Sequence, residues 1–125
     1  MIPSIQESID ALVRAKQALE DYRGKFWFGN LTKVEREFVE LDLLDESERF
    51  MAIDIALQEI EPGHRSGPPE QSNVSDHPPF AGLRLYAFCW ESAERKKRMY
   101  MKFALSPDCK QDRLVIYSFH ESKPY

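Results

Sequence analysis

The hydrophobic pattern of this chain changes period once, and that change limits the folds open to it. Up to residue 61 the apolar residues recur every three or four positions, which is the spacing of amphipathic helices. From residue 80 onward they alternate or form runs rich in β-branched and aromatic residues, which is typical of strands. The pattern predicts an α+β fold, with N-terminal helices packed on one face of a C-terminal antiparallel sheet of about three strands.

Each predicted helix has its own start signal. A Ser, Thr or Asp followed three residues later by Glu has the spacing of a capping box, in which both side chains satisfy free backbone N–H groups. The three pairs are Ser4 and Glu7, Thr32 and Glu35, and Asp45 and Glu48. Between the first two helices, residues 26–28 (FWF) form a short aromatic connector.

A proline-rich stretch divides the chain into a helical part, 1–61, and a strand part, 80–125. Residues 62–79 hold five prolines and two glycines, so we expect a long flexible loop there. At 125 residues the chain is long enough for one domain and too short for two, so 1–125 is interpreted as a single domain. Strands are expected at 83–90, 98–105 and 113–120, forming a β-meander.

Charge is distributed unevenly along the chain. The formal net charge is -4, which argues against a general polyanion binder, because non-specific nucleic-acid affinity comes mostly from Lys and Arg. Residues 1–62 carry 7 basic and 14 acidic side chains, whereas 63–125 carry 10 basic and 7 acidic ones. The two cysteines cannot supply a disulfide framework, and no segment has the composition of a signal peptide or membrane span. We therefore expect a cytoplasmic protein that does not bind membranes.

Strand alternation predicts which side chains face away from the helices. In the middle strand Met99 and Met101 belong to the helix side, which leaves Tyr100 and Lys102 on the open face. In the first strand Leu83, Leu85, Ala87 and Cys89 are expected to be core, so Arg84, Tyr86, Phe88 and Trp90 would point outward. The last strand is apolar on both faces and is ambiguous. If Val115, Tyr117 and Phe119 point inward, Ser118 and His120 point outward, together with Leu114 and Ile116.

Cations placed between aromatic rings suit single-stranded RNA, since rings stack bases and cations hold phosphates. The candidate RNA-binding residues are Arg84, Tyr86, Trp90, Arg95, Lys96, Lys97 and Arg98. The candidate catalytic residues are Tyr100, Lys102 and His120, because a proton shuttle near neutral pH and a fixed cation could promote attack of a 2′-hydroxyl on the adjacent phosphate. Exposed aromatics on a small sheet also pack under loops or against partners, and the 95–98 run also suits a solvated turn. The histidines and cysteines lack zinc-site spacing, so no metal is expected.

Two segments near the C-terminus, Met99–Leu105 and Leu114–Glu121, resemble the end of MqsR-type mRNA interferase toxins. Those toxins end in strands of the forms V-Y-L-K-[apolar] and L-[apolar]-V-S-F-K-E. The helical piece from Leu41 to Ile60 looks like the helix that precedes the family's sheet, and residues 75–77 (SDH) have a similar tripeptide at a comparable place. The resemblance implies a RelE-like fold, cleavage of mRNA without a metal or other cofactor, and a cognate antitoxin as partner.

The resemblance also assigns residues. Tyr100 corresponds to the family's Y-L-K tyrosine, which is implicated in catalysis, and Lys102 to the lysine of that motif. His120 replaces the lysine of S-F-K-E, which exchanges a fixed cation for a titratable group. Arg84 is a stand-in for catalytic residues that precede this strand in the family. The alternative function is a non-catalytic inhibitor or adaptor from a phage or mobile element, which would bind another protein through the same sheet face or through the acidic helices.

Overall fold

A computed structural model describes residues 5–66, 83–109 and 111–122, together with the backbone of 70–71. The described part contains three helices, α1 (Ile5–Asp21), α2 (Leu31–Glu40) and α3 (Glu46–Glu59), and a 3-10 turn at Pro62–His64. The strands are β1 (Trp27–Phe28), β2 (Glu70–Gln71), β3 (Arg84–Ser92), β4 (Lys97–Asp108) and β5 (Gln111–Glu121). This is the predicted α+β arrangement, with helices first and the three long strands last.

In the described part of the chain the sheet has five strands in the order β1-β5-β4-β3-β2, which is more than the predicted meander. β3, β4 and β5 are antiparallel neighbours, as expected. The predicted aromatic connector forms β1, which pairs parallel with β5 through Trp27 and Val115. Within the predicted 62–79 loop, β2 pairs antiparallel with β3, and Arg65 forms a bridge to Phe88. The other residues of that loop, 67–69 and 72–79, lie outside the described part of the chain.

Of the predicted helix starts, the one for α3 is confirmed and the one for α2 is wrong. Asp45 caps α3 through its side chain, which accepts from the backbone N–H of Glu48, and the reciprocal bond completes the predicted capping box. The predicted start of α2 at Thr32 is wrong, because the Asn30 side chain accepts from the N–H of Lys33 and caps the helix. The predicted cap Ser4 lies outside the described residues.

Most of the core lies between the helices and one face of the sheet. Ile53 and Leu57 of α3 are fully buried there, and Met101 and Phe103 of β4 belong to the same core cluster. A second, smaller cluster lies on the opposite face of the sheet and contains Leu85, Ala104, Val115 and Tyr117. We call that opposite face the open face.

The predicted faces of β3 are reversed. Tyr86, Phe88 and Trp90 belong to the helix-side core and are at most 8% exposed, whereas Leu85 belongs to the open face. Both sets of β3 side chains are apolar, so alternation alone could not decide between them. The larger rings fill the space under the helices, where burial of aromatic area stabilises most.

A bulge explains the mixed faces of β5. Lys102 pairs with Ser118 but the next residue, Phe103, pairs with Ile116, so Tyr117 is an extra residue in the strand. Ile116 and Phe119 therefore both reach the helix-side core, and Tyr117 lies on the open face. The conditional prediction that Val115 and Tyr117 point inward is wrong, and the bulge is the physical reason.

Candidate functional site

Three predicted catalytic residues meet on the open face. Tyr100 of β4 pairs directly with His120 of β5, and their rings stack with centroids 5.2 Å apart and planes inclined by 30°. Lys102 lies two residues further along β4, on the same face, and pairs with Ser118. All three side chains are partly exposed. We call Tyr100, Lys102 and His120 the central cluster.

One ring nitrogen of His120 is within hydrogen-bond distance of the backbone. Its Nδ1 lies 2.9 Å from the carbonyl oxygen of Glu121. When Nδ1 carries the proton it donates to that carbonyl, so the acceptor of the neutral ring is Nε2. His120 also contributes to the lining of a cavity of about 360 Å³ at the end of α2, together with Glu37, Glu40 and Lys97.

Arg98 extends the central cluster along the sheet. It is exposed, and its Nε donates to the Sγ of Cys89 over 3.1 Å. This hydrogen bond raises the pKa of Arg98 above its already high ordinary value. Cys89 pairs with Tyr100 across β3 and β4, so the guanidinium lies beside the central cluster. Strand alternation predicts Cys89 in the core, whereas the structure places it partly exposed on the open face.

Lys33 is a cation that sequence analysis missed. From the first turn of α2 its Nζ donates to the Ser118 hydroxyl over 2.6 Å and to the Tyr117 carbonyl over 3.0 Å. It also forms an ion pair with Glu37 at 3.2 Å. Because Ser118 pairs with Lys102, Lys33 brings a second ammonium group to the side of the central cluster. Its helix lies in the acidic half, and no local sequence signal points to this contact.

Three predicted RNA-binding residues lie on the helix side, and their outward placement is wrong. Arg84 forms an ion pair with Glu7 of α1 at 2.6 Å, and the Tyr86 hydroxyl lies 3.5 Å from the same carboxylate. The Trp90 indole donates to Glu59 over 3.0 Å. Burial together with Glu7 raises the pKa of Tyr86. These side chains bind the helices to β3, and the buried rings of Tyr86 and Trp90 cannot stack on a base.

The predicted basic run from Arg95 to Arg98 divides at the β3–β4 turn. Arg95 donates to the Leu41 carbonyl over 3.0 Å and so fixes the turn to the end of α2. Lys96 is exposed and adopts a positive φ of 57° in the turn. Lys97 lines the cavity beside His120. Of this run, Lys96, Lys97 and Arg98 remain available on the positive edge of the site.

Comparison with known proteins finds no matching family model, no similar curated protein and no similar solved structure. In the described part of the chain, no group of three or more His, Cys, Asp or Glu is arranged to hold a metal ion. None of the helices among the described residues has the length and apolar character needed to cross a membrane. The site is therefore interpreted from its own geometry.

Proposed function

We propose that this protein is a toxin-like, metal-independent endoribonuclease that cleaves single-stranded RNA. The observation that carries the proposal is the stacked pair of Tyr100 and His120, with Lys102 next to it on one accessible sheet face. A histidine and a tyrosine can exchange protons with a substrate, and an ammonium group can stabilise a phosphate that gains charge. The resemblance of these strands to MqsR-type toxins supports the same assignment.

The proposed reaction needs only groups of the protein and of the RNA. His120 Nε2 takes the proton of a ribose 2′-hydroxyl, and the oxygen attacks the adjacent phosphorus. The bond from phosphorus to the 5′-oxygen breaks, and the Tyr100 hydroxyl donates a proton to that leaving oxygen. Lys102, with Arg98 beside it, stabilises the charge on the pentacoordinate phosphorane. The products are a 2′,3′-cyclic phosphate and a 5′-hydroxyl end.

Cleavage of labelled RNA in the presence of EDTA tests the proposal. His120→Ala and Tyr100→Phe should each lower the rate by roughly 100- to 10,000-fold, the usual contribution of general acid–base catalysis. The matched controls are His64→Ala, in the 3-10 turn, and Tyr86→Phe, on the helix side, which should cleave at the wild-type rate. Intact RNA with the wild-type protein, or equal loss in the control variants, would refute the proposal.

Induction in a bacterium provides a cellular test. The wild-type chain should arrest growth, and the His120→Ala variant should not.

We further propose that a cognate antitoxin restores growth, and that it contacts the acidic helical half. Leu44 is 62% exposed and Met51 is 50% exposed there, and Met51 lines a cavity of about 290 Å³ between α3 and the β3–β4 turn. The same exposed residues favour the second candidate function, a non-catalytic protein-binding inhibitor or adaptor, if growth and RNA are both unaffected.

A further inference from the structure

Trp27 occupies an unusual position for a tryptophan of a small domain. It lies in β1, the outermost strand on its side of the sheet, and pairs with Val115, so it belongs to the open face. Its neighbour Phe28 points to the helix side and packs on Phe38. Trp27 is only partly buried, as is Phe28.

Two cations lie over the Trp27 ring. Lys25 Nζ is 5.0 Å from the ring centroid, and Arg113 Cζ is 5.7 Å from it. Tyr22 meets the same ring edge-on, with centroids 4.9 Å apart. Lys25 is exposed, so its flexible side chain can leave the ring without disturbing the core. An aromatic face bordered by Lys and Arg is the arrangement that binds a stacked nucleobase and its phosphate.

Trp27 and the central cluster share one face within a short distance. Val115, the partner of Trp27, also pairs with Ala104, which is two residues beyond Lys102 on β4. Standard strand spacings place the backbone of Trp27 about 12 Å from that of Lys102. Arg113 pairs with Ser106 on the same face and donates to its hydroxyl over 3.3 Å. A short single strand can therefore contact both places.

We propose that Trp27, with Lys25 and Arg113, forms a second nucleotide subsite for single-stranded RNA. This inference rests on the proposed function for the path of the RNA across the open face. The base stacks on the indole, and the Lys25 ammonium moves from the ring to the phosphate of that nucleotide. Stacking is tolerant of sequence, so the subsite holds the strand and does not select a base.

Tryptophan fluorescence can isolate this subsite. The sequence has two tryptophans, and Trp90 is 3% exposed, so Trp90→Phe leaves Trp27 as the single indole. The probe is a labelled 2′-O-methyl RNA octamer of mixed sequence, which lacks the attacking hydroxyl and stays intact. We expect the octamer to quench Trp27 fluorescence over the same concentration range in which its own anisotropy rises.

Substitutions give the second readout. Trp27→Leu should weaken octamer binding by roughly 5- to 150-fold, the range for one stacked base, and Trp27→Phe by less. If Trp27→Leu does not fold, Lys25→Gln tests the subsite instead, because the Lys25 side chain is exposed and its substitution should not disturb the fold. It should lower the slope of log affinity against log salt by about 1, while Lys16→Gln, an exposed lysine of α1, should not.

The results separate this inference from the proposed function. Quenching with no cleavage of a matching all-ribose octamer would uphold the subsite and refute the nuclease. Cleavage with unchanged Trp27 fluorescence and unchanged affinity of Trp27→Leu would uphold the nuclease and overturn the subsite. Failure of the octamer to bind at all would also overturn the subsite.

Discussion

Glu59 links the end of α3 to the β3–β4 turn, and its removal should destabilise the fold. Its carboxylate accepts the Trp90 indole N–H over 3.0 Å, the Ser92 hydroxyl over 2.7 Å and the backbone N–H of Glu94 over 3.0 Å. Trp90 is 3% exposed and Ser92 is 4% exposed. Glu59→Ala therefore leaves two buried donors without this acceptor, which is the costly way to lose a hydrogen bond.

These contacts determine how much free energy of unfolding the Glu59→Ala variant should lose. A buried donor left unsatisfied costs about 1–3 kcal/mol. Because the carboxylate itself is only half-buried, water can replace part of what is lost, and we expect about 2 kcal/mol for Glu59→Ala. Glu59→Gln keeps one acceptor oxygen but loses the charge, so its cost should be about 1 kcal/mol. For a domain of this size, each kcal/mol lowers the melting temperature by roughly 3–6 °C.

Urea and thermal unfolding at pH 7 measure the effect. The matched control is Glu20→Gln, which changes an exposed carboxylate of α1 and should leave stability unaltered. Equal stability of Glu59→Ala and the wild type would refute the assignment of the carboxylate as the anchor of the turn. A loss in Glu59→Gln as large as that in Glu59→Ala would instead show that charge alone carries the effect.

The same anchor predicts a pH dependence. Burial pushes the pKa of Glu59 upward, but its bonds from Trp90, Ser92 and the turn backbone outweigh burial and lower it below its ordinary value of 4.5. A lowered folded-state pKa means that this stabilisation is complete above about pH 4.5 and is lost as the pH falls further. Glu59→Gln lacks the ionised carboxylate and therefore lacks this pH-dependent stabilisation. The difference in free energy of unfolding between the wild type and Glu59→Gln should therefore become smaller below pH 4.5.

Three further changes test other contacts. The hydrogen bond to Asp108 raises the pKa of Tyr22 to about 12, so its stabilisation should hold below pH 10 and fall as the pH rises toward 12. Tyr22→Phe should remove the tyrosinate absorbance step near pH 12. A methyl group at Gly29 would overlap the ring of Tyr117, so Gly29→Ala should cost about 1–3 kcal/mol in urea unfolding. The backbone N–H of Phe119 in β5 donates to the Glu37 carboxylate over 2.8 Å, so Glu37→Ala should speed hydrogen exchange of the Phe119 amide.

Each of these has a control or a contrary result. Gly63→Ala should be neutral, since nothing lies within 4 Å of a methyl group placed there. Tyrosinate absorbance of the wild type that is complete by pH 11 would contradict the Asp108 bond. Unchanged exchange at Phe119 in the Glu37→Ala variant would show that water or another group protects that amide.

The strands show where alternation is informative and where it is not. β4 has a polar set, with Tyr100 and Lys102, opposite an apolar set, so its faces could be predicted. β3 is apolar on both faces, and the choice between them depended on the packed helices, which bury the larger rings and place Glu7 and Glu59 against this strand. That choice is a tertiary effect, which a pattern along one strand does not contain.

The central cluster could be predicted for a related reason. His120 is brought beside Tyr100 by the β4–β5 register, and the bulge at Tyr117 shifts only the part of β5 that precedes it along the chain. Lys33 and Trp27 could not be predicted as parts of this face. Both lie in the N-terminal half: the parallel pairing of β1 with β5 brings Trp27 to this face, and packing of α2 on β5 brings Lys33 there.

Contacts of β5 with the N-terminal half also affect when the chain can fold. Contacts that close the structure join residues far apart in sequence, with separations of 84 residues for Lys33 and Tyr117 and 98 residues for Arg14 and Asp112. Such contacts give a high contact order, so the helices that leave the ribosome first must wait for β5 before their apolar faces are covered. If the central cluster is a nuclease, its activity cannot arise before β5 has been synthesised, because β5 supplies His120.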